Sequence, residues 1–475
     1  MSQEFLIVSN RLPVVIKKDE GEWKITPGAG GLVTALKPVL SKHGGSWIGW
    51  PGETDDAPVD SLLGEVGREL GCRLHPVSLS SELVEGYYFG FSNETLWPLF
   101  HDLLGHAKFE LDAWKDYVEA NGIFADAIAQ KARPDQVLWI HDYQLMLTGE
   151  ELRRREIGNP IGFFLHIPFP SPDIYSRLPW RTQLLEALLH YDLVGFQTKR
   201  DLRNFVHCLR RFLKPQRVRT GRKKARIEMD GRRVLAGYFP ISIDFEDFDR
   251  RARSEEVREA GWYIHEGFRE QKIILGADRL DYTKGIPARF RAFARALEKY
   301  PDLHRKVSMI QLLVPSREQI DDYAAWKEQL ERLSGEINGR FASRGWVPLH
   351  YMYRALPFQE LLGHYRTSEI CLVTSLKDGM NLVAKEYAAC SVDENGVLIL
   401  SEFAGAAPQM KGALIVNPHD QEQVADAIYQ AFNMPEDERV KRMRALRRGV
   451  ARNNVFKWVD SFLDELTGID PSGQE

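Results

Sequence analysis

Long apolar runs, paired cysteines, repeats and any surplus of one charge are all missing from this 475-residue chain. No run of apolar residues approaches the roughly 20 that a membrane-spanning helix needs, so no membrane partner is expected. The four cysteines, Cys72, Cys208, Cys371 and Cys390, lie far apart with no Cys-x-x-Cys spacing. That excludes a disulfide scaffold and a zinc ribbon, and leaves buried thiols in a reducing compartment. Sixty-three basic and 67 acidic side chains give a net charge of −4, with no general attraction to nucleic acid or anionic lipid. No repeat or low-complexity tract points to a solenoid or a disordered linker. The N-terminus runs straight into the strand-like Glu4–Asn10, so no signal peptide and a cytoplasmic location are expected. What remains is an ordinary globular balance, 44% hydrophobic and 27% charged, long enough for more than one core.

The chemistry concentrates in Ser368–Cys390. Ile370 to Thr374 is a short apolar, β-branched run, the mark of a buried parallel strand. Ser375 to Asn381 reads as a tight turn, Asn381 as an N-cap, and Leu382 to Ala389 as a helix. Strand, turn and helix in that order aim free N–H groups and the positive end of a helix dipole out of the carboxyl edge of a sheet. Open α/β sheets bind ligands at that edge. Asp378 lies in the turn and Glu386 on the second turn of the helix, with Lys385 beside it. Each carboxylate is either a dipole partner or an acceptor of sugar and ribose hydroxyls.

The same cadence recurs along the chain. A first strand, Phe5 to Val8, ends in Ser9-Asn10-Arg11, and Gly28 to Gly31 precede a helix running to about Leu40. Those glycines, Gly30 and Gly31 among them, make an ordinary turn or a close approach of backbone to phosphate. Ser46–Trp50 and Val77–Leu79 read as strands, and aromatics cluster at Tyr87, Tyr88, Phe89, Phe91 and Trp97. Most such rings are core, although a Tyr/Trp pair also walls sugar pockets. Val137 to His141 and Ile161 to Leu165 are strands tipped by Asp142 and His166. A histidine there is a satisfied structural residue or one of several polar groups gathered at strand ends. Arg210 to Arg233 is strongly basic but poor in aromatics, which favours a solvated hairpin over a nucleic-acid surface.

A second half opens with Lys272 to Pro287. Its strand ends at Ala277, and Arg279 and Lys284 follow in a turn before a helix. Two cations converging on a helix N-terminus make a diphosphate clamp. Further strands are Val307–Val314, tipped by Arg317, then Leu349–Tyr353, Val397–Leu400 and Ala413–Val416. Asn454 to Leu466 is an amphipathic helix. The pattern predicts two doubly wound α/β domains over residues 1–240 and 241–455, followed by a terminal helix and tail over 456–475.

Taken together, these residues resemble the trehalose-6-phosphate synthase family, retaining glycosyltransferases of family 20. The likeness rests on Ser9–Arg11, Gly28–Gly31, Trp47–Trp50, Tyr88 with Trp97, His141–Tyr143 and His166–Pro170. It continues through Asp278–Gly285, Val314–Arg317, Lys377–Glu386 and Trp458–Phe462, so it spans nearly the whole chain. The resemblance implies a GT-B fold, two Rossmann-like domains facing across a cleft, with the terminal helix crossing back to the first. It implies transfer of glucose from a nucleotide-glucose to glucose 6-phosphate, with UDP the commonest donor base and no metal or cofactor. Arg279 and Lys284 would grip the diphosphate, Glu386 the ribose, and Leu382, Val383 and Ala384, with Lys385 alongside, the phosphates. Asp378 and His166 would hold the transferred glucose near Gly30 and Gly31, with Leu356 at the base. Arg11 and Arg317 would bind the acceptor phosphate, and Tyr88, Trp97, Asp142 and Trp50 the acceptor sugar. A relative using another phosphorylated acceptor, and a non-catalytic sugar-phosphate sensor, are the alternatives. A homo-oligomer is compatible with the sequence.

Overall fold

The computed structural model describes residues 4–19, 22–28, 31–52, 58–315 and 321–468. The chain divides into two compact units, Met1–Ile241 with Val455–Glu475, and Ser242–Asn454.

In the first unit the strands are β1 (Phe5–Asp19), β2 (Glu22–Pro27), β3 (Ser46–Gly52), β4 (Arg73–Pro76), β5 (Val137–His141), β6 (Ile161–Phe164) and β7 (Leu193–Phe196), then β8 (Arg217–Thr220), β9 (Lys224–Met229) and β10 (Arg232–Tyr238). Among the described residues they form one sheet in the order β4-β3-β1-β5-β6-β7-β10-β9-β8, with β2 paired antiparallel to β1. From β4 to β10 every pairing is parallel. Strands β5, β6 and β7 are buried along their whole length, which is why they read as continuous apolar runs. The basic segment folds as the antiparallel hairpin β8–β9–β10. Ala225 and Ile227 of β9 point into the core while Lys224 and Arg226 point out, and the charged edge strand β8 discourages further pairing.

The helix Val455–Thr467 packs on this sheet through Trp458 and Phe462. Phe462 stacks on Trp139 at 4.8 Å between centroids, and Trp458 meets Phe164 edge-on at 5.1 Å. Gly162 and Gly195 make the seat: a Cβ on either would come within 2.7 Å of the Phe462 ring.

The second unit holds β11 (Lys272–Arg279), β12 (Val307–Val314), β13 (Leu349–Tyr353), β14 (Ile370–Val373), β15 (Val397–Ser401) and β16 (Leu414–Val416). Its sheet is wholly parallel, in the order β13-β12-β11-β14-β15-β16. Numbered within the unit this is the doubly wound order 3-2-1-4-5-6, and the first unit has the same order from β4 to β7 once the β2 hairpin is set aside. In each unit the order reverses beside the first strand, between β1 and β5 and between β11 and β14. Ligands of such sheets bind at that reversal.

Three local readings of the sequence are corrected. Val77–Leu79 is not a strand: β4 ends at Pro76, and Ser80, whose hydroxyl accepts from Leu83 N at 3.2 Å, turns the chain into a helix start. Strand β1 does not end at Val8 but continues through register shifts into the hairpin with β2. Strand β11 runs two residues past Ala277, because Asp278 and Arg279 pair with Leu313 and Val314.

Candidate active site

In the first unit the parallel pairing of β1 with β5 stops at Ser9 opposite His141, and the register with β3 shifts between Val8 and Arg11. Such an irregularity re-aims a side chain. The Ser9 hydroxyl accepts from Trp47 Nε1 at 2.8 Å and donates to the Arg11 carbonyl at 2.7 Å, which holds the irregular turn. Gly49 is required beside it, since a Cβ there would lie 2.7 Å from Leu12 N. The Arg11 guanidinium stands 4.2 Å from the Trp50 ring centroid and 5.4 Å from that of Tyr88. Among the described residues no carboxylate pairs with it. A cation held by two aromatic faces keeps its N–H fork for an anion.

Tyr88 sits in a π-helical stretch, Glu85–Leu96, a rare conformation that recurs at functional sites. Asn93 Nδ2 donates to its carbonyl at 2.7 Å, and Tyr143 donates to Asn93 Oδ1 at 2.9 Å. The Trp97 ring lies 5.7 Å from that of Tyr143, so these residues form one continuous wall.

Asp142, just past β5, has φ 77°, and its Oδ1 accepts from His166 N at 3.1 Å. His166 Nε2 is 3.1 Å from Nδ1 of the fully buried His141, and its Nδ1 is 3.4 Å from Gln197 Nε2. Burial pushes the His166 imidazole down to about 3 and that of His141 well below its ordinary value. Both rings are therefore neutral at pH 7.

In the second unit β11 delivers Arg279 to the sheet edge, where it is exposed and, among the described residues, forms no ion pair. A short 3-10 turn, Tyr282–Lys284, is capped by Asp281, which accepts from Thr283 N at 2.9 Å. Across the reversal point the loop after β14 is tied to it by Leu376 N donating to Thr283 O at 2.8 Å. Lys284 Nζ lies 2.6 Å from Asp378 Oδ2, with both side chains 13% exposed. Asn381 Nδ2 donates to the same carboxylate oxygen at 3.1 Å. The following helix begins at Val383, one residue later than expected. The N-cap is Leu382 rather than the expected Asn381, which takes a left-handed φ of 72°, tolerated by asparagine, and accepts from Ala384 N through Oδ1 at 3.3 Å.

Glu386 lies on that helix, and Tyr365 donates to its Oε2 at 3.0 Å. Burial pushes the Glu386 carboxyl up to about 7, against the pull of that hydrogen bond, and pushes Lys385 down to about 7. Leu356 follows β13 in the loop before the helix Phe358–Thr367, which carries Tyr365.

Arg11, Trp50 and Tyr88 are thus gathered into one cluster, with Trp97, Asp142 and His166 joined to it through Tyr143 and β5. Arg279, Lys284, Asp378 and Leu382 to Glu386 share the edge at the second reversal. Gly31 opens the helix Gly31–His43, while Gly30 and Arg317 lie outside the described residues. Sequence reasoning noted His141 and Tyr143 only within a matched motif, without these contacts, and did not single out Asn93 or Tyr365. Their signal is a polar atom inside an apolar stretch, which marks burial without naming the partner.

A family model described as glycosyltransferase family 20 matches residues 3–468. A trehalose-6-phosphate synthase from Mycolicibacterium smegmatis is 43% identical, over 99% of this chain and 94% of its own. One from Mycobacterium tuberculosis H37Rv is 42% identical, over 99% and 96%. Among solved structures, the chain resembles an α,α-trehalose-phosphate synthase (UDP-forming) from Burkholderia xenovorans in complex with glucose-6-phosphate. The TM-score is 0.88 and the identity 35%, over 98% of this chain and all of that one (100%). A trehalose-6-phosphate structure from E. coli bound with UDP-2-fluoro glucose has a TM-score of 0.87 at 36% identity, over 98% and 100%.

Proposed function

The chain belongs to glycosyltransferase family 20, and from that premise we propose that it transfers glucose from UDP-glucose to glucose 6-phosphate with retention, giving α,α-trehalose 6-phosphate and UDP. Full-length relatives with that activity support the substrates. The observation that carries the reading to this chain's own residues is the Lys284–Asp378 pair at the reversal of the second sheet. A lysine that already neutralises one carboxylate is placed to be shared with a diphosphate, while the aspartate turns to sugar hydroxyls.

In this reading Arg279 and Lys284 take up the charge that develops on the departing diphosphate, helped by the N-terminus of the helix Val383–Cys390. Glu386 accepts from the ribose hydroxyls, with Tyr365 fixing its orientation. The loop at Leu356 lies toward the base. Arg11 binds the acceptor phosphate from between Trp50 and Tyr88, and Trp97 and Asp142 line the sugar. The likeness to the family assigns Arg317 to the acceptor phosphate and Gly30 and Gly31 to the donor. His166 is a neutral hydrogen-bonding group beside the transferred glucose. A protonated imidazole there would oppose the positive charge growing at the anomeric carbon.

The acceptor hydroxyl attacks the anomeric carbon on the face the diphosphate leaves. Its proton passes to a departing phosphate oxygen, through an oxocarbenium-like state. Positioning and charge stabilisation supply the rate. The test is a matrix of UDP-, GDP- and ADP-glucose against glucose 6-phosphate and other sugar and polyol phosphates. UDP-glucose with glucose 6-phosphate should be the fastest pair and should yield the α,α-linked product. Inert glucose 6-phosphate with every donor would sink the assignment.

A further inference from the structure

Arg289 is 1% exposed, on the first turn of the helix Ile286–Lys299, and among the described residues hydrogen-bonds to none of the side chains assigned to substrate. A buried guanidinium is costly unless every donor is met, so its partners reveal what it is for. Its Nη1 pairs with Asp278 and donates to Gln311 Oε1 at 2.9 Å. Its Nε donates to Thr374 Oγ1 at 2.9 Å, and its Nη2 to the Lys284 carbonyl at 3.4 Å. Gln311 in turn donates to Asp278 Oδ2 at 3.3 Å. Gly276 leaves the room: a Cβ there would fall 2.8 Å from Nη1 and 2.3 Å from Gln311 Oε1.

These partners are the neighbours of the clamp. Asp278 precedes Arg279 at the end of β11, and the Lys284 carbonyl belongs to the clamp lysine itself. Thr374 opens the loop that carries Asp378. One planar fork therefore ties together the backbone segments that bear both cations and their carboxylate, across the reversal from β11 to β14. We propose that Arg289 is a positioning residue for nucleotide-sugar transfer, fixing the spacing of Arg279, Lys284 and Asp378 so that the diphosphate meets both cations at once. The proposal rests on the reading of Arg279 and Lys284 as the diphosphate clamp.

The test is carried out on the full-length enzyme with Arg289→Lys, which keeps a charge for Asp278 but cannot span the other partners. The milder Thr374→Val removes one acceptor and keeps the shape. Binding of UDP and of uridine monophosphate is measured by calorimetry, alongside kcat, the KM for glucose 6-phosphate and thermal stability. UDP affinity should fall about tenfold or more in Arg289→Lys, the effect of losing charge-assisted contacts. Uridine monophosphate affinity and the KM for glucose 6-phosphate should change less than about twofold, far below a tenfold step. Thr374→Val should move UDP affinity the same way by a smaller factor. If UDP and the monophosphate weaken together, or UDP affinity holds in both variants, Arg289 is only a structural ion-pair partner and the proposal fails. If Arg289→Lys does not fold, Thr374→Val decides alone. Lys284→Ala is run in parallel: unchanged UDP affinity there would condemn the clamp reading itself rather than the role of Arg289.

Discussion

At the scale of the residue, charge placement decides the chemistry. In the proposed reaction Arg279 and Lys284 meet the negative charge that grows on the leaving group, so removing either should lower kcat by about 10²-fold or more. Steady-state kinetics of Arg279→Ala and Lys284→Ala check this, with circular dichroism to confirm folding. Glu386 sets a pH dependence. Burial raises its carboxyl from 4.5 to about 7, so the charged form that would accept ribose hydroxyls is gained as pH rises through that value. UDP affinity should therefore increase between pH 6 and 8, and Glu386→Gln should flatten the profile. The sign for stability is opposite. A raised folded pKa contributes stability that is complete below the unfolded value and lost as pH climbs through about 7. Adjacent Lys385, pushed down to about 7, titrates in the same window, so the Gln variant is needed to separate the two. His166, held neutral down to about 3, should leave no inflection near pH 6.5.

At the scale of the element, the terminal helix Val455–Thr467 shows packing overriding chain order. It follows the second unit in sequence yet belongs to the core of the first. Phe462 is fully buried, stacked on Trp139 over the two glycines that admit it. Phe462→Ala should cost about 3–5 kcal/mol, the usual penalty for emptying a buried aromatic site. Gly195→Val should expel the same ring. Urea denaturation followed by tryptophan fluorescence measures both, since Trp139 and Trp458 report on this contact. The amphipathic spacing of Asn454 to Leu466 shows that a helix forms there. No periodicity could show that Gly162 and Gly195, hundreds of residues earlier, are its seat.

At the scale of the whole molecule, the two units hold separable sets of groups: Arg11, Trp50 and Tyr88 in one, Arg279, Lys284 and Asp378 in the other. Arg11→Lys is not conservative where a guanidinium packs on an aromatic ring and, as proposed, forks onto a phosphate. It should raise the KM for glucose 6-phosphate about tenfold, the scale of one charge-assisted contact. UDP affinity, measured by calorimetry, should stay nearly unchanged. A matching loss of UDP affinity would contradict the division of labour.

What the sequence determined by itself was local: the strand–turn–helix cadence, the polar residues placed at strand ends, the basic hairpin and the terminal helix. Those are legible because side-chain periodicity and capping report what one segment does with its own faces. Only the tertiary structure decided which strand ends are neighbours, that Arg11 lies in the corner of two tilted rings, that Lys284 reaches Asp378, and that the silent Arg289 hydrogen-bonds to the segments on either side. Each of these depends on pairing between segments far apart in the chain, and a residue's type and spacing show that it is buried without showing what it meets there.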